Sequence, residues 1–360
     1  MKAFDAPTGS GETVCVLLGV HNGARFLAEQ LDSIARQDSV DWQLLASDDG
    51  STDASAGILR DFGQKHGAAR VKIIDGPRQG LVANYRALLA AAPQAGALAW
   101  CDQDDIWLPG KLTRALTALQ RVPKSVPAAY ASTVIHSDQA GRTQGRSRMP
   151  RRPLSFRNAI VQNVLPGNTL VLNPAAARLM QTAEARLAGA GSAYALHDWW
   201  TYLLITACGG TIIFDPEPGV LYRQHDGNAI GANAGLSASL ARMRGVWAGR
   251  NAQWLSQHMA ALGVLGDLLT EDARMVLGQI AQARKAPLAR RIAGMAKTGI
   301  HVQTRRATWD SGWQFWPGGC DGALAMAEMC HRTGMARPNH PRVKHTTGRR
   351  ASLDAFPALG

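Results

Sequence analysis

Three carboxylates fall within four positions at Asp102, Asp104 and Asp105, directly after the apolar run ALAW. Acids that close raise one another's proton affinity in a poorly solvated place unless something positive sits among them. The stretch CDQDDIW (101–107) therefore points to a bound cation. A second acidic cluster, SDDGSTD (47–53), follows another apolar run. Ser51, Thr52 and Asp53 read there as a turn and the cap of a following helix. That reading does not account for the adjacent Asp48 and Asp49, whose acceptor-only carboxylates suit the ring N–H of a pyrimidine and a ribose hydroxyl. Asp105 has two readings: a member of the cation site, or an acceptor for backbone N–H groups in the turn ahead of Pro109. His197 and Asp198 stand at the exposed start of a helix in ALHDWWTYLLITACGG, a place that favours an acid on electrostatic grounds alone. In YRQHDGN (222–228), His225 taken by itself reads as a structural histidine.

These residues need elements to hold them. Strand-length apolar runs alternate with helix-period segments: VCVLLGV (14–20), WQLLAS (42–47), VKIID (71–75) and ALAWCD (97–102), with helical stretches between them. Such alternation predicts an α/β fold with a mostly parallel sheet covered by helices. In sheets of that kind ligands bind beyond the carboxyl ends of the strands, which brings both acidic clusters together. Phe26, Leu27, Leu31 and Ile34 share one face of the first helix as core. From 121 to 235 the pattern is mixed, with strands expected at 128–136, 168–173, 211–215 and 219–225. A polar, Arg-rich stretch, SDQAGRTQGRSRMPRRP, reads as a surface loop. From 236 to 316 the period is helical, and 317–360 lacks any sustained period and reads as disordered.

The formal net charge of +12 over 360 residues invites a nucleic-acid reading, but the charge is local. Between Asp272 and Asp310 there is no acid, while Arg274, Arg284, Lys285, Arg290, Arg291, Lys297, Arg305 and Arg306 all fall there. No zinc-finger spacing accompanies them, so nucleic acid is not the expected partner. A nucleotidyltransferase would favour a Gly-rich phosphate loop after the first strand, which GVHNGA does not supply. The five cysteines form no CxxC pair and suit a reducing compartment. With no apolar leader and no spanning run, the expected location is cytoplasmic, with peripheral contact at the inner face of the cytoplasmic membrane.

HNGARFLAEQLDSIARQ, SDDGSTD, DQDDIWLPGKL, HDWW and YRQHDGNAIGAN, in that order, resemble the family-two glycosyltransferases of GT-A fold, closest to their rhamnosyltransferase-like bacterial branch. The likeness covers roughly residues 13–235, with His21 departing from the family's usual Tyr. It implies a GT-A domain over 11–235, with a nucleotide-sugar half to about 120 and an acceptor half from 121, followed by the basic helical extension. It also implies an inverting transfer of a sugar, L-rhamnose from dTDP-L-rhamnose, to a hydroxyl of a lipid-linked or polysaccharide acceptor; UDP-hexose and UDP-N-acetylhexosamine donors are the alternative.

By the same resemblance Asp102 and Asp104 match the DXD motif that holds Mg²⁺ or Mn²⁺ against the donor's diphosphate. Asp104 is the direct ligand, and Asp102 takes the ribose or a metal-bound water. Asp48, Asp49 and Asn22 face the nucleotide. Arg223, Gln224 and His225 close over the diphosphate, His225 also reaching the metal. Asp198 matches the catalytic base, supported by His197. Gly167 and Asn168 belong to the acceptor wall, with Trp199 and Trp200 offering faces to a sugar ring or packing in the core. The basic segment 274–306 is expected to hold the enzyme against an anionic membrane.

Overall fold

The computed structural model describes residues 13–37, 40–94, 96–225 and 252–303. Its first half is the expected alternation: β1 (Val14–Val20), α1 (Ala24–Ala35), β2 (Trp42–Asp48), α2 (Ser55–His66), β3 (Val71–Asp75), α3 (Leu81–Ala91) and β4 (Ala97–Cys101). The four strands lie parallel in the order β3-β2-β1-β4. Alternate residues of β1 serve opposite faces, as the period-2 pleat requires. Val14, Val16 and Leu18 pack with α1, α2 and α4 (Lys111–Leu119), while Cys15 and Leu17 pack with α3 and the later helices. Because the chain returns to place β4 on the other side of β1, the strand order reverses there and a crevice opens at the carboxyl ends.

The second half is mixed. β6 (Ala128–Ser137) runs parallel to β9 (Thr211–Arg223), and β8 (Val171–Leu172) joins β6 antiparallel to β4. β5 (Ile106–Trp107) pairs antiparallel with β9, closing the order β4-β8-β6-β9-β5. The two strands expected at 211–215 and 219–225 are one strand. Opposite β6, Ser132 pairs with Asp215 and Val134 with Val220, so Pro216, Glu217 and Pro218 bulge out where prolines cannot donate to a ladder. The strand expected at 168–173 shrinks to two residues, because Gly167–Thr169 forms a 3-10 turn. Part of the expected loop pairs as β7 (Thr143–Arg146) on β6, its side chains exposed.

Then come α5 (Phe156–Ala159), α6 (Pro174–Gly189), α7 (His197–Ala207), a helical segment α8 over 252–264, α9 (Glu271–Lys285) and α10 (Leu288–Lys297). The last three are helical as expected, and several of their apolar residues are buried, while Val264 and Met275 are exposed. Leu255, Leu262, Val276, Ile280 and Met295 are buried in the core that also holds α7, and Ile300 packs against it. Several cations are used internally. Arg274 donates to the carbonyls of Gly266 and Leu269, Arg284 to Ser256 Oγ, and Arg291 to Ala286 O. Arg157 grips Asp272 through both guanidinium nitrogens at 2.5 and 2.6 Å. Among the described residues no helix is long and apolar enough to cross a membrane. The expected disordered tail, 317–360, lies outside the described residues, as do Arg305 and Arg306.

Candidate active site

The carboxyl ends of β1, β2 and β4 are laced together by side chains. Asn22 sits at φ 48°, a left-handed conformation that Asn tolerates better than most residues. Its Oδ1 accepts the Thr52 N–H at 2.8 Å, and its own N–H donates to Ser51 Oγ. Gln103 closes the other side, accepting from His21 N and donating to His21 O. A Cβ on Gly23 would lie 2.2 Å from Gln103 Oε1, so any larger residue there would displace the Gln103 amide from His21. Asp53 takes the cap role expected of it, accepting from Ser55 N and, across the turn, from Ala24 N in the first turn of α1. The Asn22 side chain thus holds the neighbouring turn.

Asp48 and Asp49 differ from the sequence reading in what they contact. Asp48 accepts the Ser51 N–H at 2.9 Å, an Asx turn. Asp49 is buried and accepts the N–H groups of Arg78 and Gly80 at 2.6 and 2.9 Å. It straps the GPRQG loop, whose Arg78 is held at φ 58°.

The DXD acids separate by environment. Asp102 Oδ1 lies 2.7 Å from the hydroxyl of Tyr85, which also reaches Cys101 O at 2.7 Å. Burial, then the neighbouring Asp104, pushes Asp102 up to about 7. Asp104 Oδ2 meets His225 Nε2 at 2.8 Å, and that imidazole lies 4.9 Å from the Phe26 ring. Of the three residues expected to close over the diphosphate, His225 meets the acidic motif through its side chain and Arg223 through its backbone N–H. The Arg223 guanidinium is turned to Glu29 and lies 4.7 Å over Phe26, and the Gln224 amide faces His136 at 3.5 Å.

Asp105 fits neither sequence reading. It is wholly buried, accepting the Arg223 N–H of β9 at 3.1 Å and a short bond from the Asn168 side-chain amide. Desolvation above all pushes its carboxyl well up. Asn168 is correspondingly a buried partner of the acidic motif, with no face on the acceptor side.

Across the crevice, Asp198 opens α7. Its Oδ1 accepts the Trp199 N–H at 2.7 Å, and Oδ2 accepts from Asn163 Nδ2 at 2.8 Å. Burial outweighs both donors and pushes the carboxyl up to about 6. The charge on Asp198 also raises Asp102 further. A Cβ on Gly167 would lie 2.9 Å from Asp198 Cβ, so the backbone there runs close against the acid. The helix is moored to β4, since Trp100 Nε1 donates to Thr201 Oγ1 and Thr201 donates to His197 O.

The rest of HDWW points inward: His197 leaves the exposed helix start expected for it, and both tryptophans take the core packing that was one of their two readings. His197 is buried, stacked on Tyr85 at 3.6 Å, and pushed down to about 3 by desolvation, so it is neutral. Trp199 donates to Ala159 O and Trp200 stacks on Tyr194 at 4.9 Å; both are core, with no free face for a sugar. The reason is that α7 is apolar nearly all round and buried between sheet and C-terminal helices. Tyr85, Gln103 and Asn163 escaped the sequence reading. Only the rule that a buried tyrosine hydroxyl finds a partner hinted at Tyr85.

Among the described residues no three His, Cys, Asp or Glu side chains converge in a metal-holding group. Asp104 and His225 do supply a carboxylate oxygen and an imidazole nitrogen at one point of the crevice. Two protein donors fit a hard divalent ion that takes its other ligands from water and a diphosphate.

Residues 15–182 match the model of glycosyl transferase family 2. The chain is 27% identical over 230 residues to a dTDP-rhamnosyl transferase, RfbG, of Shigella flexneri, covering 63% of this chain and 78% of that one. It is 32% identical over 113 residues to a putative glycosyltransferase, EpsE, of Bacillus subtilis, spanning 31% of this chain and 40% of that relative. Among solved structures, a mannosyltransferase from Pyrobaculum calidifontis in complex with GDP-Man and Mn²⁺ aligns at TM-score 0.46 and 18% identity, over 94% of this chain and 85% of that one. The span similar to glycosyl transferase family 2, residues 15–182, is the one that holds the parallel 3-2-1-4 half-sheet and the two acidic clusters at its carboxyl edge.

Proposed function

We propose that the protein is an inverting glycosyltransferase that moves L-rhamnose from dTDP-L-rhamnose to a hydroxyl of a lipid-linked or polysaccharide acceptor in cell-envelope glycan synthesis. The observation that carries this reading is Asp198. It is a carboxylate at a helix start, set against Gly167, raised to about 6, with its charge felt by Asp102. A base works best when its proton affinity lies near the working pH, and Asp198 meets that condition without a second nucleophile beside it. It takes the proton of the acceptor hydroxyl as that oxygen attacks the sugar's anomeric carbon from the side opposite the leaving diphosphate. Tyr85 fixes Asp102, and His197, held neutral, keeps positive charge away from both acids. Asp104 and His225, with Asp102, are the residues that would hold Mg²⁺ or Mn²⁺. Such an ion, when bound, neutralises charge gathering on the departing nucleoside diphosphate.

The similarity to a dTDP-rhamnosyl transferase supports the choice of donor. The reading also includes peripheral contact with an anionic membrane, supported by the exposed Arg142, Arg146, Arg148, Arg151 and Arg152 between β6 and α5. Gln303 ties that segment to the end of the basic helices by accepting from Arg151 N and Arg152 N at 2.9 and 2.8 Å. The test is release of nucleoside diphosphate from a panel of dTDP-, UDP- and GDP-sugars, with and without Mn²⁺ and then with chelator. Metal-dependent turnover of dTDP-L-rhamnose is expected. Preference for a UDP-sugar would replace the donor, and no binding or turnover of any nucleotide sugar would sink the reading.

A further inference from the structure

The Asn163 amide has one orientation that satisfies both neighbours. Its Oδ1 accepts the Leu165 N–H at 3.2 Å, and a backbone N–H can only donate. Nδ2 is thereby aimed at Asp198 Oδ2, 2.8 Å away. With Trp199 N on Oδ1, each oxygen of the carboxylate has a donor of its own, and Gly167 packs against its Cβ. The segment 161–168, which supplies Asn163 and Gly167, contains no ionisable side chain. Asp102, at the end of β4, feels the charge of Asp198, and on the base's own helix His197 is neutral. Trp199 N belongs to the helix backbone, so the Asn163 amide is the one side-chain donor that Asp198 is seen to have among the described residues.

We propose that Asn163 is the positioning residue of the base, fixing the rotation of the Asp198 carboxylate and holding it ready to accept a proton. The proposal rests on the reading of Asp198 as the base. Without the Nδ2 donor, burial acts on Asp198 against backbone N–H donors alone.

Asn163→Asp isolates that donor. It keeps the shape and an oxygen for Leu165 N, but sets a second carboxylate against Asp198. In the full chain, free of donor and metal, the Asp198 carboxyl is followed by carbon-13 NMR titration and assigned by its loss in Asp198→Asn. The midpoint is expected to rise by about one pH unit or more in Asn163→Asp. The acid limb of kcat should move with it, while KM for the nucleotide sugar stays within about twofold, since Asn163 stands on the acceptor side. Asn163→Leu, which removes both hydrogen bonds at similar size, should shift the midpoint the same way and serves if Asn163→Asp does not fold. An unmoved midpoint in a folded variant overturns the proposal, as does a matching loss of donor affinity, which is the mark of general disruption. If Asp198→Asn transfers sugar as fast as the unaltered enzyme, it is the base reading that falls; the midpoint comparison still judges Asn163 separately.

Discussion

The two sides of the crevice satisfy their polar groups over different distances along the chain. On the β1–β2 side, apart from the Gln103–His21 pair at a separation of 82, partners lie within 32 residues: Asn22 meets Ser51 and Thr52 at 29 and 30, and Asp49 meets Arg78 and Gly80 at 29 and 31. Asp48 is met three residues away by Ser51, and Asp53 two residues away by Ser55. On the β4–α7 side the partners come from far off. Asp198 is met by Asn163 at a separation of 35, Asp105 by Asn168 at 63 and by Arg223 at 118, and Trp100 by Thr201 at 101. The first side draws chiefly on β1, β2 and the loop after β3, neighbours in one stretch of chain. The second exists only once the whole sheet has assembled, so function there should be more sensitive to small displacements.

The strongest test of this contrast is Asp198→Asn. Transfer to acceptor should fall on the order of 10³-fold while nucleotide-sugar affinity is unchanged, since only the proton acceptor is lost. Isothermal titration with donor, set beside a transfer assay, separates the two. Weakened donor binding with intact transfer would contradict the assignment. The acid limb of the unaltered enzyme should lie near pH 6, because Asp198 must be ionised to act and its raised affinity loses that form as pH falls.

Next in size is Gly167→Ala. The added methyl meets Asp198 Cβ, and a displacement near 1 Å at a reacting group costs roughly 10²-fold. A thermal melt within a few degrees of the unaltered protein, with that loss in kcat, would sharpen the contrast. Unchanged kcat would break it. Gly67→Ala, where the added Cβ meets nothing within 4 Å, serves as the control on the β2–β3 side: its left-handed φ of 84° costs stability alone.

A smaller effect is expected at His258 on α8, packed 5.1 Å from the Trp199 ring, with neither ring nitrogen hydrogen-bonded among the described residues. Burial pushes it down to about 3. Between an unfolded value of about 6.5 and that figure, the unfolded chain takes up a proton the folded one refuses, so stability drains away as pH falls. The loss amounts to about 2 kcal/mol by pH 5. His258→Phe should flatten the decline in denaturant midpoint from pH 7 to 5, and a parallel decline would remove His258 as its cause. The smallest effect is at the surface. Sedimentation with anionic vesicles should be seen at low salt and lost at high salt, and weakened by replacing Arg146 and Arg148 with Gln, each cation contributing on the order of 1 kcal/mol. Recovery of the intact protein in the supernatant at low salt would remove the membrane contact.

The sequence made the parallel half legible because strands buried on both faces are apolar throughout, and because acids at their ends have few other places to be. VCVLLGV and ALAWC are strands almost to the residue. What it hid was direction. Nothing in HDWW says that Asp198 faces the crevice while His197, Trp199 and Trp200 face the core, since an apolar helix has no polar stripe to orient it. Nor did spacing reveal that Asp49 is spent on the Arg78 and Gly80 amides, or that Asn168 is the partner of Asp105, because both contacts join segments distant in sequence. The apolar residues among the basic helices read equally well as membrane-facing or core-facing, and burial decided for the core.

Asp105 has a consequence for anyone wishing to recombine this enzyme with its relatives. A chimaera joined near residue 120 would take the chain before that point from one parent and the chain after it from another. The Asp105 carboxylate would travel with the first, while Asn168 and the Arg223 amide stayed with the second. If the incoming half brings no acid, Asn168 is orphaned; if the outgoing half loses its amide, a buried acid is left short of a donor, at a cost of a few kcal/mol. Positions 105 and 168 are therefore inherited as one unit, and a library that shuffles halves should hold that pair constant at the seam.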